Sequence, residues 1–174
     1  MMPRYTGFAV VTVDGKIARN DSHYVDWSSR EDKIFLKKKL DASDVIVIGR
    51  KTFNTLKSRT KKFSLSRRYI VLTHRVKKTV ERNNVLYCNA DAVSLDGIIR
   101  ERKYRRISVL GGAHVYQTML DRGLLDEFYI TVEPIIFGKG ISLLSDSVAK
   151  HTWKLVSVKH LNRSGTLLLR YNIS

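Results

Sequence analysis

The apolar positions fall into two regimes along the chain. Up to about residue 121, short continuous apolar runs alternate with helical patterns. Phe8 to Val13 is apolar and β-branched and ends at the turn pair Asp14-Gly15, which predicts a buried first strand. Ser28 or Ser29 opens a helix to about Leu40, with Glu31 and Asp32 in its first turns. Val45-Ile46-Val47-Ile48 is apolar at every position and stops at Gly49, the pattern of a central parallel strand covered on both faces. Further elements are predicted as a helix over 51–57, strands over 69–73 and 85–88, a helix over 92–101, and a strand over 107–110. A helix over 114–121 follows Gly111-Gly112. Beyond it the helical period is lost. Residues 127–133, 153–160 and 166–172 predict long strands with no helix between them, and Leu167, Leu169 and Tyr171 alternate as on a strand with one buried face. This order predicts a single domain over 1–174, a three-layer α/β fold with a mixed, mainly parallel central sheet and antiparallel C-terminal strands. Ligands of such sheets bind beyond the carboxyl ends of the strands, where Gly49, Thr73 and Gly111 fall.

Composition narrows the class. A chain of 174 residues, 43% of them hydrophobic, can bury a core without disulfides or structural metal. The single cysteine, Cys88, excludes an internal disulfide framework and a multi-cysteine zinc site. His23, His114, His151 and His160 lack metal-ligand spacing, so no metal is expected. No apolar run approaches the roughly 18 residues of a membrane span, and Phe8 to Val11 is too short for the core of a signal peptide. The expectation is a cytoplasmic protein away from membranes, as a monomer or homodimer.

Charge then points to the ligand. Lys and Arg number 32 against 16 Asp and Glu, a formal net charge of +16. Such an excess suits an anionic ligand or a polyanion. The basic residues gather at 37–39, 59–62, 67–68, 75–78 and 100–106, between apolar elements rather than in a tail. A solvated basic surface is the simpler reading. Nucleic-acid binding stays as a second class of function, although no helix-turn-helix, zinc-finger or ribonucleoprotein signature accompanies the charge.

Three strand ends carry phosphate-friendly residues. Gly111-Gly112 lies between a strand and a helix, where glycine lets the backbone approach a phosphate and the helix N-terminus favours its charge. Gly49-Arg50-Lys51-Thr52 repeats the arrangement, and Thr73-His74-Arg75 adds a hydroxyl, an imidazole and a guanidinium. Together they suggest a dinucleotide, with an extra phosphate on it. Asp32 is the acidic candidate. If Ser28 caps the helix, Glu31 is the capping-box acid and Asp32 shares a face with Phe35 and Leu36. An acid on an apolar face holds its proton more tightly and can donate it or anchor a substrate. If Ser29 is the cap, Asp32 is itself the box acid. Cys88 reads as a small core residue.

In combination, these segments resemble the dihydrofolate reductase superfamily over nearly the whole chain. Thr12 to Ala18 is similar to its first strand and the start of its active-site loop. Trp27 and Asp32 are similar to its substrate-site tryptophan and acid, and Gly49-Arg50-Lys51-Thr52 to its cofactor segment. Arg67 to Thr73 is similar to the stretch from a substrate-carboxylate arginine to the next cofactor strand. Leu110-Gly111-Gly112-Ala113-His114-Val115-Tyr116 and Tyr129-Ile130-Thr131 match two later segments. Two branches fit. Trp27-x4-Asp32, Gly49-Arg50-x-Thr52 and Arg67 favour dihydrofolate reductase, which is the first expectation. Asp14-Gly15-Lys16-Ile17-Ala18, Ser29 to Asp32 and Asp126-Glu127 fit the alternative, the reductase of riboflavin synthesis that reduces a phosphoribosylamino-pyrimidine.

The resemblance implies a dihydrofolate-reductase-like fold, NADPH as cofactor, and hydride transfer to dihydrofolate or a related pteridine or pyrimidine. It assigns Asp32, with Trp27 and Thr131, to catalysis. It assigns the cofactor to Val10, Ile17, Gly49, Arg50, Lys51, Thr52, Leu72, Thr73, His74, Arg75, Leu110, Gly111, Gly112, His114, Val115 and Tyr116. The substrate falls to Phe8, Asp32, Leu36, Leu56, Arg67 and Thr131, under a mobile lid at 19–26.

Overall fold

In the computed structural model, residues 2–59, 66–145 and 151–173 are described; part of the basic cluster at 59–62 lies outside them. The chain runs β1 (Arg4–Thr12), β2 (Lys16–Ala18), α1 (Arg30–Asp41), β3 (Val45–Gly49), α2 (Arg50–Arg59), β4 (Tyr69–Leu72), β5 (Val80–Arg82) and β6 (Val85–Cys88). It continues through α3 (Leu95–Glu101), β7 (Arg106–Val109), α4 (Ala113–Asp121), β8 (Glu127–Glu133), β9 (Ile141–Ser142), β10 (Trp153–His160) and β11 (Leu167–Ile173). Among the described residues nine strands form one sheet in the order β10-β11-β8-β1-β7-β3-β4-β6-β5. Strands β8, β1, β7, β3, β4 and β6 run parallel, and β11, β10 and β5 add antiparallel flanks.

The continuous apolar run of β3 follows from this position. Val45 and Val47 join one core, with Ile70, Ile107, Val109 and the α3 and α4 residues Leu95, Ile99, Val115 and Met119. Ile46 and Ile48 join the other, with Tyr69, Val71 and Phe53 of α2, against which Leu40 of α1 packs. A strand covered on both faces has no polar side to show. The predicted three-layer α/β fold is therefore the fold observed.

The boundaries differ where pairing, not hydrophobicity, sets them. Strand β1 begins at Arg4 because Arg4, Tyr5 and Thr6 pair with β7 residues 106–108. Helix α3 begins only at Leu95, since Ser94 caps it by accepting from the Gly97 amide, while Ala92 and Val93 sit in a turn on Asn89. Strands β2, β5 and β9 are two or three residues each and carry no pattern to read.

Candidate active site

A cavity of about 840 Å³ opens along the carboxyl ends of β1, β3, β4 and β7. Its phosphate-friendly half contains Gly49, Arg50, Lys51, Thr52, Leu72, Thr73, His74, Arg75, Leu110, Gly112, His114, Val115 and Tyr116. Its other half contains Phe8, Phe35, Leu36, Leu56, Tyr129, Thr131 and Asp32, and Val10 and Ile17 lie on the wall as well. The fold thus gathers every predicted cofactor and substrate residue except Gly111 and Arg67. Of the predicted catalytic trio, Asp32 and Thr131 face the cavity and Trp27 does not.

Each exception has a local cause. Gly111 lies just behind the wall. Its φ is +69°, its peptide bond to Gly112 is cis, and its carbonyl accepts from the Gly49 amide at 2.7 Å, tying β7 to β3. Trp27 packs edge-on against Phe137, ring centroids 5.0 Å apart, and its indole N–H is buried without a hydrogen bond. Arg67 is bound to Asp41 at the end of α1 and to Tyr69. It stands outside the cavity that the carboxylate role requires, because an acid 26 residues earlier claims its guanidinium.

Asp32 is the only buried residue of α1, at 6% exposure. Ser29 is the cap: its hydroxyl accepts from the Asp32 amide at 3.3 Å. Asp32 is therefore at the third helical position, where a capping-box acid would reach back to the cap amide. It does not do so. The Ser29 amide donates instead to Glu133 Oε1 at 2.7 Å. The Asp32 carboxyl takes hydrogen bonds from Thr131 and Ser28. Burial pushes its pKa above the usual carboxylate range, the nearby Glu133 adds to that, and the Thr131 and Ser28 hydroxyls and Lys33 act against it. Both readings of the helix start were half right: Ser29 caps, yet Asp32 turns to the cavity.

Register explains the rest of this wall. Phe8 pairs with Tyr129 and Val10 with Thr131 across β1 and β8. The Phe8 and Tyr129 rings stack at 5.4 Å with 6° between planes, and Phe35 packs on both. Tyr116 donates to the Phe8 carbonyl at 2.5 Å and fixes α4 on β1. Sequence reasoning missed Ser28, Phe35 and Tyr129 as cavity residues. The available signal was period: Tyr129 is two residues from Thr131 on one strand, and Phe35 is three from Asp32 on one helix.

Loop 19–26 contributes Asn20, Asp21, His23, Tyr24 and Val25 to the lining. It is held by an ion pair from Asp21 to Lys51, and the Arg19 guanidinium sits 4.3 Å over the Phe137 ring. Phe137 is itself fixed by Asp14, which accepts from the Phe137 and Gly138 amides at 3.1 and 2.8 Å. The Thr12 hydroxyl, and then these amides, hold the Asp14 carboxyl below the usual range. On the opposite rim Asp91 pairs with His74 at 3.4 Å and Arg122 at 3.0 Å. Cys88 is buried, its thiol pushed up to about 11 by desolvation, which leaves it an inert core residue. Among the described residues no cluster of metal-binding side chains occurs, and no helix is long and apolar enough to cross a membrane.

The phosphate-friendly half suits a dinucleotide. Gly112 caps α4 without any side-chain hydrogen bond, so no capping side chain takes the Ala113 and His114 amides that open that helix. Gly112 lines the cavity, and a Cβ built on it would meet the Thr52 hydroxyl oxygen at 3.5 Å, an ordinary van der Waals contact between α4 and α2 at the cavity wall.

Known proteins share this architecture. The uncharacterized protein YwjB of Bacillus subtilis is 23% identical over 160 residues, covering 90% of this chain and 91% of that protein. A putative riboflavin biosynthesis protein from Shewanella sp. PV-4 superposes with a TM-score of 0.75 at 18% identity, covering 98% of this chain and 99% of that one. RibD of Acinetobacter baumannii superposes at 0.78 and 14% identity, over 99% of this chain and 58% of that one. Dihydrofolate reductase of Enterococcus faecalis, solved with NADP(H), superposes at 0.69 and 21% identity, over 98% and 96%. These likenesses establish the dihydrofolate-reductase-like fold. The profile of the RibD C-terminal domain matches residues 5–167, which favours the second of the two branches over the first expectation. Since that match takes in every element that walls the cavity, the chain belongs to the RibD C-terminal domain family.

Proposed function

We propose that this chain is an NADPH-dependent reductase of a ribosylated aminopyrimidine, 5-amino-6-(5-phosphoribosylamino)uracil, rather than of dihydrofolate. The observation that carries the choice is the substrate wall. It offers one buried acid among Phe8, Phe35, Leu36 and Tyr129, while the arginine that a folate tail carboxylate would need is bound to Asp41. Lys33 stands at this wall as a cation. It gives two of its ammonium hydrogens to the Asp26 and Ser28 carbonyls, at 2.8 and 2.7 Å, and has a third for a phosphate. The family match supports the same substrate class.

NADPH, when bound, supplies the hydride. The first amides of α4, with Gly112 and Thr52, would hold its pyrophosphate, and His74 and Arg75 the phosphate on its adenosine. Phe8 and Tyr129 would present a flat apolar surface to the substrate ring and exclude water from it. As hydride adds to the electrophilic carbon, the heteroatom bonded to that carbon needs a proton. Asp32, buried and inclined to keep its proton, would hold it there, oriented by Thr131 and Ser28.

The test is an absorbance assay of NADPH oxidation by the purified protein with either the ribosylated aminopyrimidine or dihydrofolate. Turnover of the pyrimidine with little of dihydrofolate is expected. Turnover of dihydrofolate alone would return the chain to the first branch.

A further inference from the structure

Glu133 is a second buried carboxylate beside the proposed acid, at 3% exposure, and the chemistry outlined above makes no use of it. It ends β8, two residues beyond Thr131 and on the same side of that strand. Both its oxygens are occupied. Oε1 accepts from the Ser29 amide at 2.7 Å, and Oε2 accepts from the Thr166 hydroxyl at 2.6 Å. Thr166 is in turn held by Asn162, whose side-chain oxygen accepts the Thr166 amide at 3.1 Å and whose side-chain nitrogen donates to the Thr166 hydroxyl at 2.9 Å. Glu133 therefore pins the first residue of the α1 start to β8 and to the turn between β10 and β11.

This contact takes over a task that local sequence assigns to Asp32. In a capping box the acid at the third helical position accepts from the cap amide. Here that amide already has a partner, so the Asp32 carboxyl is left to Thr131, Ser28 and the cavity. The two carboxylates also sense one another. A second negative charge nearby disfavours ionisation of the first. The charged groups that face Asp32 are Glu133 from β8 and Lys33 from its own helix, and the Lys33 ammonium is turned to the carbonyls of Asp26 and Ser28. Glu31, on the same helix, reaches instead toward Asn162.

We propose that Glu133 is a positioning residue for Asp32: it replaces Asp32 at the Ser29 amide, which turns Asp32 to the cavity and sets a second buried carboxylate beside it. The proposal rests on the reading of Asp32 as the acid of the site. It adds that this acid is one member of a buried carboxylate pair whose other member never meets the substrate.

The experiment reads Asp32 directly and needs no turnover. The full chain is labelled with carbon-13 at the aspartate side-chain carboxyls, and the Asp32 signal is identified by its loss in Asp32→Asn. Glu133→Gln keeps an oxygen for the Ser29 amide and removes the charge. The Asp32 titration midpoint should then fall. Glu133→Asp is one methylene shorter and should lose the amide, which frees it for Asp32, so the Asp32 midpoint should fall too, because an amide hydrogen bond favours the carboxylate. A merely structural Glu133 would lower the melting temperature in Glu133→Gln and leave the midpoint in place, which overturns the proposal. If Glu133→Gln does not fold, Glu133→Asp serves alone, and an unmoved midpoint in it again overturns the proposal. Failure of the reductase reading is separate, since it would appear as no NADPH oxidation by the unmodified protein with either substrate.

Discussion

At the scale of the residue, the substitution Asp32→Asn separates chemistry from structure. Asparagine keeps the size and accepts from Thr131 and Ser28, but it holds no acidic proton. Hydride transfer at neutral pH should fall by about 10²–10⁴-fold, with part of the rate recovered at lower pH, where solvent protonates the substrate. NADPH affinity, read by fluorescence titration, should be almost unchanged. Stability should move the other way. The folded-state pKa of Asp32 is raised, so its contribution is favourable while it stays protonated and is lost as pH rises through that pKa. Asp32→Asn should therefore be more stable than the unmodified chain at neutral pH, with the gap closing in acid. Near-normal turnover, or a gap that widens in acid, would contradict the assignment. The sequence revealed Asp32 through its three- and four-residue spacing to Phe35 and Leu36. It did not reveal that Glu133 relieves it of the cap, because that partner lies 104 residues away. The misplacement of Arg67 has the same cause, an ion pair with Asp41 that no local pattern announces.

At the scale of the element, the legible parts were those whose burial leaves a period. Strand β3 and the match of β6 and β8 to their predicted ranges follow from apolar runs, whereas β10 matches its range although seven of its eight residues are exposed. The β2–β9 pair was invisible because its strands, Lys16–Ala18 and Ile141–Ser142, are specified by each other across the fold. The strand-end glycines were legible as phosphate-friendly turns, but their division of labour was not. Gly112 lines the cavity, whereas Gly111 shapes the turn behind it. A Cβ on Gly111 would lie 2.5 Å from the Tyr116 ring and would sit on a residue with φ of +69°. Tyr116 has no room to give, since its hydroxyl is bonded to the Phe8 carbonyl inside the core. Gly111→Ala should thus cost on the order of 1–3 kcal/mol of stability, from the strained backbone and the forced repacking together. It should also weaken NADPH binding, because the start of α4 shifts. Gly112 has a φ of −70°, which any residue adopts, so Gly112→Ala should spare stability more than Gly111→Ala does, while its added methyl at the cavity wall weakens NADPH binding. Denaturant unfolding and NADPH titration of the two variants check this. Equal stability losses would show that the two glycines do not divide the work.

At the scale of the whole molecule, the sequence yielded the three-layer architecture but leaned to the branch that the family match favours less. The motifs that favoured dihydrofolate reductase are short, and of their residues Trp27 and Arg67 stand off the cavity, while the substrate half depends on side chains brought together from α1, β1 and β8. The net charge of +16 has a clearer account once the pairs are seen. Asp41, Asp44, Glu81, Asp91, Asp96 and Glu127 each sit against one or more basic partners, so the excess is carried by other lysines and arginines. At the cavity, Arg50 and Arg75 line the phosphate half, beside Lys51 paired to Asp21 and His74 paired to Asp91, and a cleft with low-dielectric walls concentrates the field of the two guanidinium groups. An anionic cofactor should feel this as faster association. Between low and physiological ionic strength its association rate should drop by about tenfold, while its dissociation rate changes little. A nucleic-acid surface would behave differently. It would need many phosphate contacts at once, so oligonucleotide affinity would fall by about 10³–10⁵-fold between 50 and 200 mM salt. Stopped-flow NADPH binding and oligonucleotide titration over one salt series separate the two. The expected result is rapid, moderately salt-dependent NADPH association and only weak oligonucleotide binding. Tight, steeply salt-dependent oligonucleotide binding without NADPH binding would reassign the charge, and with it the function, to a polyanion partner.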